Sequence, residues 1–149
     1  LALSRVTGVT RLAFGTVDFM ADAGIGGDGE ELDAVRTHLV LASRAAGLQA
    51  PLDGVCLSID EEDVMAREAQ RSRRFGMGGK LCIHPRQVAH VNRAFEPTEA
   101  EIAWAHEVVR ALEGGSLGAV AVRGKLVDRP VWLQAQQVLA QAESTHAAA

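Results

Sequence analysis

The residues best placed for chemistry are Asp18, Asp53 and His84. Each stands at or near the end of a short apolar run that reads as a strand. In parallel α/β architectures, sites gather at the C-terminal ends of strands, so polar groups there are the first candidates. Caps and turns also favour Asp at such points, so the structural alternative stays open. Arg86 follows His84 across a His-Pro corner, and Lys80 opens the same run, where a structural role is expected. Asp128 precedes Pro130 by two residues and is a good N-cap for a last helix. Arg71, Arg73 and Arg74 close a helix that begins with Glu61, Glu62 and Asp63, which suits the helix dipole at both ends. There is no phosphate-binding P-loop, no Gly-x-Ser-x-Gly and no His-Glu-x-x-His. The glycines between 24 and 29 lack the strand-turn-helix context of a dinucleotide fingerprint.

The elements that must position these residues alternate. Strands are predicted over residues 11–19, 51–59 and 80–85. Helices are predicted over 28–46, 60–75 and 86–94. In the first helix Leu32, Val35, Leu39, Ala42 and Ala46 form one apolar stripe, and Gly47 stands at the C′ position. Thr98 and Glu101 make a capping box that opens a helix to about residue 112, closed by Glu113, Gly114 and Gly115. Residues 119–122 and 125–127 flank Arg123-Gly124 as a hairpin. Pro130 is expected at N1 of the last helix, which frays over 144–149. Short apolar strands alternating with amphipathic helices imply an α/β fold with a parallel sheet and helices outside it.

Composition narrows the function classes. The chain has 149 residues, enough for one domain and short of the roughly 250 of a closed (β/α)8 barrel. Apolar residues make up 48% and charged residues 23%, so a packed core rather than disorder is expected. With aromatics at 4% and no Tyr, that core must be built from Ala, Val, Leu and Ile. The net charge of −4 and scattered basic residues argue against nucleic-acid binding. No apolar run is long enough for a membrane span. Cys56 and Cys82 lie in predicted strands without a metal-ligand spacing, and both are expected to be buried, reduced thiols of a cytoplasmic protein.

Five segments in order say more than any one of them. They are Phe14-Gly-Thr-Val-Asp18-Phe19, Leu41-Ala-Ser-Arg-Ala-Ala-Gly47, Pro51-Leu-Asp-Gly54, Gly78-Gly-Lys-Leu-Cys-Ile-His-Pro-Arg-Gln87 and Leu126-Val-Asp-Arg-Pro130. This set resembles the citrate lyase beta-subunit-like and malyl-CoA lyase family of the HpcH/HpaI aldolase superfamily. The resemblance covers nearly the whole chain. It implies the C-terminal part of a (β/α)8 TIM barrel, strands six to eight with their helices over residues 1–95. A helix–hairpin–helix extension over 96–149 would pack on its own or a neighbouring subunit.

The resemblance also implies an activity. Family members are Mg2+-dependent lyases that cleave or form a carbon–carbon bond next to a CoA thioester or 2-oxo acid. The cation stabilises the enolate formed when the bond breaks. Carried over residue by residue, Asp18 is the metal ligand, and a hard cation of this kind prefers carboxylate oxygen. Asp128 is the catalytic group expected to act in a neighbouring subunit of a homo-oligomer, a trimer or hexamer. His84 and Arg86 stand where CoA or another substrate phosphate could approach. The Glu that shares the metal and a substrate-binding Arg are expected upstream of Leu1, so the chain is expected to be incomplete and, alone, weak or inactive. The alternative is an inactive fragment that serves as a binding or oligomerisation module.

Overall fold

The computed structural model describes residues 3–113 and 120–147. The side chains described are those of residues 4–112 and 121–144. The chain divides into two compact units, Leu1–Phe95 and Glu96–Ala149.

In the first unit three parallel strands form one sheet in the order β1-β2-β3, with β1 Arg11–Ala13, β2 Gln49–Asp53 and β3 Gly79–Lys80. Arg11 stands opposite Gln49, Leu52 opposite Gly79 and Asp53 opposite Lys80. The helices are α1 Thr16–Ala23, α2 Asp33–Ala45, α3 Glu62–Arg74 and α4 Pro85–Phe95. The apolar stripe of α2 lies inward: Leu32 and Ala42 are buried, and Val35, Leu39 and Ala46 are half-buried. Gly47 ends the helix in the left-handed region, φ 68°, which a side chain would strain. Buried Met65 and Ala69 of α3, Met77 and Val91 complete this core.

The expectation of part of a closed barrel is corrected here. Among the described residues the parallel sheet is open, and the only other sheet is a two-stranded hairpin. Closure needs strands enough to complete the circle at a consistent tilt and stagger. Three strands of two to five residues cannot supply it.

All three predicted strands are also shorter than expected, and the second, predicted over 51–59, ends at Asp53. The run 11–19 divides: β1 stops at Ala13, and α1 begins at Thr16 after Gly15. A short apolar run has no periodicity that separates strand from helix. The third strand ends at Lys80, so Cys82 falls in a loop and is exposed, while Cys56 is buried as expected.

In the second unit α5 spans Glu99–Glu113 and α6 spans Arg129–Ala147. Between them β4 Val120–Val122 and β5 Lys125–Val127 pair antiparallel, with Val122 opposite Lys125. Ala105 and Val108 of α5, Val127 of β5 and Ala135 of α6 form its buried centre, with Trp104 and Trp132 packed against it. The capping box is made on both sides. The Thr98 N–H donates to Glu101 Oε2 at 2.7 Å, and the Glu101 N–H donates to Thr98 Oγ1 at 3.2 Å. The last helix does not stop at 144 but continues to Ala147. Ala119, Gly114, Gly115 and residues 148–149 lie outside the described residues.

Candidate functional site

β1 delivers the chain to Phe14, whose N–H still donates to Leu52 O at 2.9 Å. Gly15 then turns the chain into α1, and the Phe19 N–H closes the first helical bond to Gly15 O at 3.0 Å. The amides at the start of α1 have no partner within the helix, and Gly15 has no side chain to cap them. Asp18 lies in this first turn and is exposed. A Cβ on Gly15 would lie 3.6 Å from Asp18 Oδ2, so the carboxylate folds back toward the helix start. A negative charge is favoured there by the dipole. Asp18 is therefore a first-turn helical residue just beyond the C-terminal end of β1, not the last residue of a strand.

Thr16 seats the start of α1. It is 1% exposed, and it lies so close to Gly54 that a Cβ there would stand 2.1 Å from Thr16 Oγ1. No other residue of α1 is fully buried.

His84 and Arg86 are at the start of α4. His84 is half-buried, and its Nδ1 accepts the Arg86 N–H at 3.2 Å, so the ring caps the helix. Arg86 is exposed and donates to Asp60 Oδ1 at 2.9 Å. Asp60, where the helix over 60–75 was expected to begin, is thus an ion-pair partner, and α3 starts two residues later at Glu62. Arg86, Asp60, Ile59, Glu62, Met65 and His90 line a cleft of about 370 Å³. Among the described residues no hydrogen bond or ion pair joins Asp18 to His84 or Arg86, and β2 lies between the strands that precede them. Asp128 belongs to the second unit. It is exposed, and its Oδ1 accepts the Val131 N–H at 3.4 Å, which makes it the N-cap of α6.

Asp53 is the candidate whose surroundings are most developed. Its carboxylate is 2% exposed at the end of β2. Arg36 of α2 donates to it through Nε at 3.1 and 3.2 Å, Ser72 of α3 donates to Oδ2, and Lys80 Nζ lies 3.8 Å away. Lys80 also pairs with Glu68 at 3.4 Å. Burial opposes the charge on Arg36, but its bonds to Asp28 and Asp53 outweigh that and raise its pKa. A buried carboxylate surrounded in this way is already satisfied, so Asp53 ties the sheet to two helices and offers little to a ligand. Gln87 has a similar task. Fully buried, it accepts the N–H groups of Ile83 and His84 and donates to the carbonyls of Cys56 and Ser58. It thereby joins the loops that follow β2 and β3.

Sequence reasoning missed Arg36 and Gln87. Arg36 falls four residues after Leu32, on the buried face of α2, and a charge on an apolar stripe was the signal available. Nothing distinguished Gln87.

A divalent cation would find one ligand here. Asp18 is exposed and free to offer oxygen, but among the described residues no group of three or more His, Cys, Asp and Glu side chains could hold a metal ion. The described residues alone therefore do not make a magnesium site. Among them, no helix is long and apolar enough to cross a membrane.

The HpcH/HpaI aldolase/citrate lyase family model matches residues 2–85. The citrate lyase subunit beta of Leuconostoc mesenteroides subsp. cremoris is 39% identical over 122 residues, 80% of this chain and 40% of that protein. The mitochondrial citramalyl-CoA lyase of Mus musculus is 34% identical over 138 residues, 89% of this chain and 40% of that protein. Among solved structures, protein CitE from Mycobacterium tuberculosis in complex with magnesium, acetoacetate and coenzyme A is similar. Its TM-score is 0.85 at 28% identity, covering 95% of this chain and 55% of that one. The chain spans less than half the length of the curated relatives it matches, 40% for these two.

Proposed function

The chain belongs to the HpcH/HpaI aldolase/citrate lyase family, and from that premise we propose that it is part of a Mg2+-dependent carbon–carbon lyase. The bond cleaved or formed lies next to a CoA thioester or 2-oxo acid. The observation that carries this reading is Asp18. It is an exposed carboxylate in the first turn of α1, just past the C-terminal end of a parallel strand. That is where an open carboxylate is useful, and it falls in the Phe-Gly-x-x-Asp segment. The relative with magnesium, acetoacetate and coenzyme A bound supports the same reading.

Asp18 supplies one oxygen ligand, and the uncapped start of α1 attracts the negative charge of a substrate carboxylate. Arg86 gives one N–H to Asp60 and keeps its other guanidinium donors for a CoA phosphate, and His84 acts mainly as the cap of α4. Asp128 sits on the surface, where it can reach a second copy of the chain in a homo-oligomer while capping α6. A cytoplasmic, small-molecule enzyme is the setting. With Asp18 as the one carboxylate carried over as a metal ligand, the isolated chain is expected to be weak or inactive.

The test measures Mg2+-dependent release of CoA from malyl-CoA. The purified 149-residue chain is expected to stay at background. Fused behind the remainder of the Leuconostoc protein, it is expected to cleave a citryl or malyl thioester, and Asp18→Ala is expected to abolish that. A folded fusion that binds Mg2+ without cleaving either thioester overturns the lyase reading. It would favour an inactive binding or oligomerisation module.

A further inference from the structure

Helix α1 lacks the buried face that normally holds a helix in place. Thr16 is its one buried residue, Val17 and Asp18 are exposed, and Phe19, 37% exposed, meets the ring of Phe14 edge-on at 5.5 Å, again at the first end. The segment after it, residues 24–29, is mostly glycine and contributes no buried apolar side chain. An element of this kind is ordered by its ends. At the first end Thr16 packs on Gly54.

The second end is held by charge. Arg71 of α3 donates through Nη1 to Asp28 O at 2.8 Å and through Nη2 to Gly29 O at 2.6 Å. The same guanidinium pairs with Asp33 at the start of α2. Arg36 of α2 pairs with the Asp28 side chain while its Nε remains on buried Asp53. Two arginines from two helices thus grip one glycine-rich segment and anchor it to the end of β2. The position of Arg71 in the last turn of α3 suits the dipole, yet its hydrogen bonds go elsewhere.

We propose that Arg71 and Arg36 are positioning residues. They form an ionic latch on residues 24–29 that fixes α1, and with it Asp18, beside the sheet. The importance of placing Asp18 rests on the lyase reading, but the latch itself does not.

Hydrogen exchange followed by mass spectrometry on the 149-residue chain tests it. Arg71→Gln is expected to raise exchange over residues 19–32 by about tenfold or more, the scale of losing charge-assisted hydrogen bonds. α4 and the second unit should be unchanged. Arg71→Lys should recover little, because a point charge cannot span two carbonyls and a carboxylate. Where Arg71→Gln fails to fold, Asp33→Asn carries the same test, because it removes the carboxylate partner of Arg71 while leaving the arginine in place, and it should raise exchange over the same segment.

Unchanged exchange, full rescue by Lys, or a uniform rise across the first unit overturns the latch. Loosening of 24–32 with α1 unaffected overturns the positioning of Asp18. Neither readout involves metal or substrate, so failure of the lyase reading is scored separately.

Discussion

Gly54→Ala tests what seats the helix that carries Asp18. A Cβ on Gly54 would lie 2.1 Å from Thr16 Oγ1, 2.4 Å from its Cγ2 and 2.7 Å from its Cβ. Thr16 is 1% exposed, so it has no room to step aside. Overpacking of a filled site costs about 1–3 kcal/mol, and three clashing atoms, one of them a Cβ, put this case at the upper end. Gly54 is not in the left-handed region, so Ala also stiffens the unfolded chain, which offsets about 0.4–1 kcal/mol. The net expectation is a loss of about 2 kcal/mol, a large share of the 5–15 kcal/mol typical of a domain. Urea unfolding should show it as a lower midpoint at unchanged slope. Far-ultraviolet circular dichroism is the right probe, because Trp104 and Trp132 both lie in the second unit. Thr16→Ala removes Oγ1 and Cγ2 but leaves the Cβ, so the penalty for Gly54→Ala should shrink by about 1 kcal/mol in that background. A Gly54→Ala change within about 0.5 kcal/mol, the usual range for an uninvolved surface site, would refute the close approach. So would a penalty that Thr16→Ala leaves intact.

Arg36→Met leaves Asp53 buried without its main partner, so the urea midpoint should fall by the equivalent of about 3–5 kcal/mol, and a loss under about 1 kcal/mol would show that Lys80 and Ser72 suffice. Glu107 accepts Arg123 Nε and Nη2 at 2.7 and 2.6 Å, and that pairing holds its carboxyl below the usual range. A depressed carboxyl contributes stability above its unfolded pKa and loses it as pH falls through the folded one. The hairpin amides should therefore loosen only below the ordinary glutamate range, and a Glu107 carbon resonance titrating at or above that range contradicts the pairing. Burial pushes both thiols up, so Cys82 should react with iodoacetamide at neutral pH more slowly than a free thiol despite its exposure. Cys56 should react only on unfolding.

Much of the fold can be read from local chemistry. The Thr98–Glu101 box, the Gly47 stop and the Arg123-Gly124 turn each act through residues three or four apart, and all three form as read. Arg123 even accepts a left-handed φ of 50° to make its turn. What sequence did not disclose depends on contacts distant in the chain. The split of residues 11–19 into strand and helix is settled where Thr16 meets Gly54, 38 positions away. The Arg36–Asp53–Lys80 cluster joins three elements, and no one of them announces it. The barrel part, strands six to eight, was inferred from resemblance rather than from the strands themselves, and the three short strands form an open sheet. At the site, Asp18 could be singled out by its motif. Its place on a helix, and the capping by His84, could not, whereas the Asp128 cap was legible from its place two residues before Pro130.

The account turns on Asp18 as a metal ligand. Mg2+ titrated into the 15N-labelled 149-residue chain, followed by amide chemical shifts, tests it most directly. Weak, incompletely saturating shifts centred on Gly15, Thr16, Val17 and Asp18 are expected, and Asp18→Ala should erase them. Shifts centred instead on Asp60 and Glu62, or a response that survives Asp18→Ala, would contradict the claim.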